Sequence, residues 1–242
     1  MMWLPNTAEN LVVQLAASLS GLTVVTVKEA GQIEKLEQLG CKGIITSLEN
    51  HLSSGKTAPA AAVVPPILTG TEKVSGNFLR YDELSMGPLA AALGDAGRGG
   101  VAAQYCYGSV KPVSEEALLG LGLAAANTLQ LNSGDRVCLP ITLSHGFGFG
   151  SGALAVLSRG AALVLPSATP CAEATQLALE DGCSVLYADS HTLAAMDGIA
   201  DHRLPTLRTG LVKIGSGDAI GLGEPRPLGG SNLVTVGKPS GV

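Results

Sequence analysis

Residues 105–114 read Tyr105-Cys106-Tyr107-Gly108-Ser109-Val110-Lys111-Pro112-Val113-Ser114, and the chemistry of this stretch decides how the chain is read. A loop that holds a polyphosphate turns successive backbone N–H groups inward, uses small residues for close approach, adds hydroxyl donors and supplies a lysine for charge. Gly108, Ser109 and Lys111 meet part of that demand, whereas Tyr107 and Val110 stand where small polar residues are needed. The stretch reads as a phosphate loop from which the binding portion has been removed.

Outward from it, apolar runs that fit strands alternate with longer segments that fit helices. Upstream, Glu9–Leu19 is expected to be a helix capped by Asn6 or Thr7, Leu22–Val27 a strand, Gln32–Leu39 a short helix and Cys41–Thr46 a second strand. Thr57–Pro66 reads as a connection, with Val63 and Val64 as a short strand inside it. Downstream, strands are expected at Ala102–Tyr107, Arg136–Leu139, Ala161–Leu165 and Ser184–Tyr187. Helices are expected at Ser114–Leu129, Gly150–Arg159, Ala172–Asp181 and Ser190–Ile199, and Gly215–Gly230 is expected to be a glycine-rich loop. Such alternation is the signature of largely parallel sheets covered by helices. The fold class is therefore α/β with two subdomains, residues 1–86 and 101–242, joined by the Gly/Ala-rich connection 87–100.

Several segments together resemble the adenylate-forming family, which includes acyl-CoA synthetases, luciferases and the adenylation domains of peptide synthetases. Trp3-Leu-Pro-Asn-Thr-Ala-Glu9 is similar to the family's Leu-Pro-Asn-Ser-x-Glu segment, and Tyr105–Ser114 falls where the family carries Thr-Ser-Gly-Thr-Thr-Gly-x-Pro-Lys-Gly. Gly134-Asp-Arg-Val137 leads into Pro140-Ile-Thr-Leu-Ser-His145, which resembles Leu-Pro-x-x-His, and Gly160-Ala-Ala-Leu-Val-Leu165 resembles the strand that follows. Leu207-Arg-Thr-Gly210 is similar to the Leu-Arg lead-in, Ile220-Gly-Leu-Gly-Glu224 to the Tyr-Gly-x-Thr-Glu motif, and Val236-Gly-Lys-Pro239 to the Val-Gly-x-Pro after it. The order and approximate spacing agree over nearly the whole chain.

The resemblance implies that the motif tyrosine stacks on adenine, the threonine contacts phosphate and the glutamate helps to hold magnesium. Here Ile220 and Gly223 replace the first two, so only Gly221 and Glu224 of that motif remain. Isoleucine offers no aromatic platform and glycine no hydroxyl. The family's ribose-binding aspartate and its C-terminal domain with the catalytic lysine lie beyond Val242. On this reading Gly108, Ser109, Lys111, His145, Gly221 and Glu224 are vestigial motif positions: no catalytic residue, no bound cofactor and no metal are expected, with ATP and magnesium as the alternative if activity persists. His145 matches a substrate-side histidine by resemblance. Read by itself, it is equally a buried structural residue beside Phe147 and Phe149.

Other patterns are weaker. Ser54-Gly-Lys-Thr57 ends like a Walker loop, but Asn50 stands at the required first glycine. Gly148-Phe-Gly150-Ser-Gly152-Ala153 fits a dinucleotide turn, yet no acidic residue follows at the ribose distance; a glycine-rich helix start packed on the sheet explains it better. His51, His191 and His202 lie in separate segments, and Glu115-Glu116 suits a helix N-terminus. The net charge of −5 excludes a nucleic-acid footprint. A charged fraction of only 14% suits buried sheets or surface covered by partners.

Five scattered cysteines without a Cys-x-x-Cys pair point to a reducing, intracellular setting. Neither a signal peptide nor an Arg-rich transit segment is visible before Lys28, and the polar residues within Leu11–Val27 argue against a membrane span. The expectation is a non-catalytic accessory or structural subunit, with other protein chains of a large complex as partners and, by analogy, a mitochondrial assembly as the first setting. The alternatives are an acyl-CoA ligase completed by another chain, or an acyl- or CoA-binding module.

Overall fold

Two sheets, each largely parallel, organise the computed structural model. It describes residues 1–27, 30–33, 40–50, 67–69, 79–80, 103–107, 109–166, 172–196, 204–214, 222–228 and 231–236. The chain divides into two units, Met1–Glu115 and Glu116–Val242. The expected α/β class is what forms.

In the first unit the strands are β1 (Met2–Trp3), β2 (Val25–Thr26), β3 (Ile45–Ser47), β4 (Ile67–Thr69), β5 (Leu79–Arg80), β6 (Ala103–Tyr107) and β7 (Ser109–Val113). Their order is β5-β4-β3-β1-β2-β6-β7, parallel throughout except for the antiparallel β6–β7 pair. The two-residue strand β1 sits mid-sheet between β2 and β3, a position no periodicity could reveal. Helix α1 (Ala8–Leu19) starts after Thr7, whose backbone is extended but whose hydroxyl makes no cap bond. The turn before it is held instead by Asn10, fully buried, whose amide donates to the Leu4 and Pro5 carbonyls at 3.2 and 2.9 Å. Met2, Leu4, Val13 and Val24 pack together on one side, and Trp3, Val25, Val27, Ile33 and Ile44 form a second cluster. The expected helix Gln32–Leu39 falls mostly outside the described residues, as do Ser54–Thr57, Val63–Val64 and the whole of 87–100.

The second sheet has the order β12-β13-β11-β10-β8-β9, built from β8 (Arg136–Cys138), β9 (Ala162–Val164), β10 (Val185–Asp189), β11 (Thr209–Lys213), β12 (Leu222–Leu228) and β13 (Ser231–Val236). All neighbours are parallel but β12–β13. Helices α2 (Glu115–Thr128), α3 (Ala155–Ser158), α4 (Ala172–Glu180) and α5 (Ser190–Ala195) occur along this part of the chain, and a π-helical stretch, Phe147–Leu154, runs directly into α3. Alternate residues of β10 face opposite ways. Leu186 and Ala188 join Cys138, Leu179, Met196, Val212 and Leu233 in one core, while Tyr187 turns to the other side and packs on Phe147 with ring centroids 5.7 Å apart. Cys138 and Cys183 share that core as free, buried thiols. Contact with Cys183 and burial push the Cys138 thiol above its ordinary range.

One expectation is corrected here. Residues 222–228, expected to be part of a loop, form strand β12. Pro225 and Pro227 are tolerated because, among the described residues, β12 is the sheet edge and pairs with β13 alone, and because its register shifts between Gly223 and Arg226.

Candidate functional site

The phosphate-loop remnant is a tight antiparallel hairpin. Ala103 pairs with Val113, Gln104 with Pro112, Tyr105 with Lys111, Cys106 with Val110 and Tyr107 with Ser109. One residue, Gly108, separates the strands in sequence, and it lies outside the described residues. Amides in an antiparallel ladder point alternately to either side of the strand. A phosphate nest needs consecutive amides converging on one point, and the Ser109–Val113 backbone does not have that form.

Of the remaining motif positions, Gly221 is outside the described residues and Glu224 lies on edge strand β12 at the register shift. Three strands, β13, β11 and β10, stand between β12 and β8. Glu224 is therefore far across the sheet from His145, which follows β8 at the start of the π-helical stretch.

His145 is half-buried, and its Nδ1 accepts the Phe147 backbone N–H at 2.9 Å. A neutral ring that accepts at Nδ1 carries its proton on Nε2. Facing Nε2 at 3.5 Å is the ammonium of Lys213, the last residue of β11. Sequence reading did not single out Lys213. Its one signal was a lone charge inside the otherwise apolar run Gly210–Ile214.

Beneath His145 the glycines of Gly148–Gly152 are used for packing. A Cβ on Gly148 would stand 2.2 Å from the Thr142 carbonyl oxygen, one on Gly150 3.1 Å from Leu118, and one on Gly152 2.8 Å from Leu139. Gly122 of α2 meets the same stretch, its Cβ position 2.9 Å from the Gly150 carbonyl oxygen. The absent side chains thus let a helix and a strand approach the π-helical turn, in agreement with the packing reading over the dinucleotide one. Tyr187 Oη donates to the Ser151 carbonyl at 2.7 Å, and burial raises the tyrosine's pKa. Tyr187→Phe should cost about 1 kcal/mol by leaving that carbonyl without its donor, read as a lowered thermal midpoint with circular dichroism unchanged.

Asp135 and Arg208 hold the sheet's other end. Arg208 Nε and Nη2 donate to the two Asp135 carboxylate oxygens at 2.8 and 2.6 Å, and Ser184 Oγ and the Asn132 amide donate as well. The Arg208 guanidinium beside it holds Asp135 at about 2. Arg208 also donates to the Leu129 and Gln130 carbonyls just past α2. The Gly-Asp-Arg and Leu-Arg segments, matched only by resemblance in the sequence, are thus two halves of one structural ion pair. Among the described residues no three His, Cys, Asp or Glu side chains gather where a metal ion could be held, and no helix is long and apolar enough to cross a membrane.

No family model and no curated protein sequence matches this chain. Solved structures do. A benzoate CoA ligase from Burkholderia xenovorans superposes with a TM-score of 0.70 at 20% identity, over 97% of this chain and 49% of that one. The N-terminal domain of FACL13 from Mycobacterium tuberculosis gives 0.67 at 16% identity, over 97% of this chain and 61% of that one. The fold is that of the N-terminal domain of adenylate-forming enzymes. The O-succinylbenzoate coenzyme A synthetase from Bacillus subtilis adds a TM-score of 0.66 at 16% identity, over 94% of this chain and 44% of that one. The chain spans about half the length of these adenylate-forming relatives. At such identity the likeness speaks to the adenylate-forming fold and leaves the chemistry to the side chains.

Proposed function

We propose that this protein is non-catalytic: an adenylate-forming scaffold kept for its surfaces, acting as an accessory subunit of a larger protein assembly. The observation that carries the reading is the hairpin register, in which Tyr107 pairs with Ser109 and the amides serve the ladder in place of a phosphate. Two sequence features support it. Ile220 and Gly223 stand where the resemblance calls for an aromatic platform and a hydroxyl. The rival reading, supported by the ligase relatives, is a CoA ligase that another chain completes.

Exchange of radiolabelled pyrophosphate into ATP separates the two, with benzoate and anthranilate among the acids tried. Exchange at the level of a protein-free blank is expected. Exchange that Glu224→Ala abolishes would overturn the proposal. Fractionation of the native protein by size tests the partner half of the reading: co-migration with other chains is expected, and elution as a lone monomer counts against it.

A further inference from the structure

We infer that the outward face of α1 is a docking surface for a basic amphipathic helix of another protein chain. The inference rests on the accessory-subunit reading above and gives that reading its contact surface. Helix α1 carries its polarity inside out. Residues three and four apart share one face of a helix, and the buried face here holds Asn10, Val13 and Gln14, with the Gln14 amide donating to the Asn10 side-chain oxygen at 2.8 Å. The opposite face holds Ala8, Val12, Ala16 and Leu19, all exposed, Val12 at 48% and Leu19 at 69%. Leu22, just past the helix, is 61% exposed and held in place, its N–H donating to the Ala17 carbonyl at 2.8 Å across a turn in which Gly21 has φ 66°. A helix that faces water carries polar residues on that side. An apolar stripe there, rimmed by polar groups, marks an interaction surface.

Charge selects the occupant. Residues 1–27 contain one charged side chain, Glu9 at the start of the stripe, and no Lys or Arg. In the last turn of α1 the Ser18 hydroxyl donates to Glu115, which places a second acid at the other end. A second copy would set its own Glu9 and Glu115 against these, and an anionic lipid surface is repelled for the same reason. A helix with apolar residues at i, i+3, i+4 and i+7, flanked by Lys or Arg, satisfies both stripe and rim.

A synthetic Leu/Lys helix of that spacing is the probe, and its Leu/Glu counterpart the control, read by fluorescence anisotropy on the whole chain. The Leu/Lys peptide is expected to bind, less tightly as salt rises, and the Leu/Glu peptide is not. Leu19→Lys with Leu22→Lys should weaken binding by about tenfold or more, the worth of one buried leucine. Leu157→Lys with Leu177→Lys adds the same charge at two other exposed leucines and should leave binding unchanged. All four side chains face solvent, so circular dichroism should not move. No binding at about 1 mM peptide, or equal loss from the two leucine pairs, would overturn the inference. So would a dimer in sedimentation that Leu19→Lys with Leu22→Lys disperses, or binding to phosphatidylserine vesicles, since each assigns the stripe to another occupant. The two readings fail separately: elution of the native protein as a lone monomer sinks the accessory role, and peptide binding that ignores the leucine stripe sinks the surface.

Discussion

Gly148→Ala is expected to lower the stability of the second unit by about 3 kcal/mol or more, the scale of an overpacked core that must move backbone. The added methyl would lie 2.2 Å from the Thr142 carbonyl oxygen, 2.8 Å from its carbon and 3.2 Å from the Ile141 oxygen. All three are main-chain atoms, so no side-chain rotation relieves the clash. The segment must pull away from Ile141–Thr142, loosening the turn that positions His145. Gly120→Ala in α2 is the matched control. Nothing lies within 4 Å of its Cβ position, and helix propensity alone should raise stability by about 0.5–1 kcal/mol. Denaturant unfolding of both variants measures the contrast. Equal midpoints would show that the turn relaxes freely and that its glycines are not packing residues.

Arg208→Ala carries the second large effect, about 3 kcal/mol, because it strands a carboxylate that is only 5% exposed. The Ser184 and Asn132 donors remain and keep the loss from being larger. Arg208→Lys should rescue little of it, since an ammonium cannot reproduce the two-point pairing with Asp135. The pair also sets an acid limb. Asp135 titrates near 2 when folded against an ordinary 3.8. A carboxylate whose folded pKa is depressed contributes stability fully above its unfolded pKa and loses it as pH falls through the folded one. Wild-type stability should thus fall by on the order of 2 kcal/mol between about pH 4 and pH 2 from this group. Arg208→Ala should flatten that limb. An unchanged acid limb in the variant would place the sensitivity elsewhere.

How much of this was legible in the chain differs from element to element. Helices α1, α2 and α4 and strands β8 and β9 were read close to their observed bounds, since each carries its own apolar pattern and its own stop signal. Strand β1 was not, because two residues cannot show a period, and its place between β2 and β3 comes from pairing with both. Strand β12 was hidden by its prolines, which only an edge position excuses. In the candidate site His145 was visible as a motif position. Lys213 was not, because the contact joins residues 68 positions apart.

By itself the sequence determined the α/β alternation, the glycine-rich packing turn and the loss of small polar residues around Gly108, all of which are written in neighbouring residues. Tertiary structure alone decided that Ser109–Val113 folds back on Ala103–Tyr107 as a ladder, that Asp135 meets Arg208, and that Lys213 faces His145. The reason is physical. Local patterns arise from backbone geometry repeated every few residues, whereas strand order and ion pairing depend on which distant segments bury their apolar faces together.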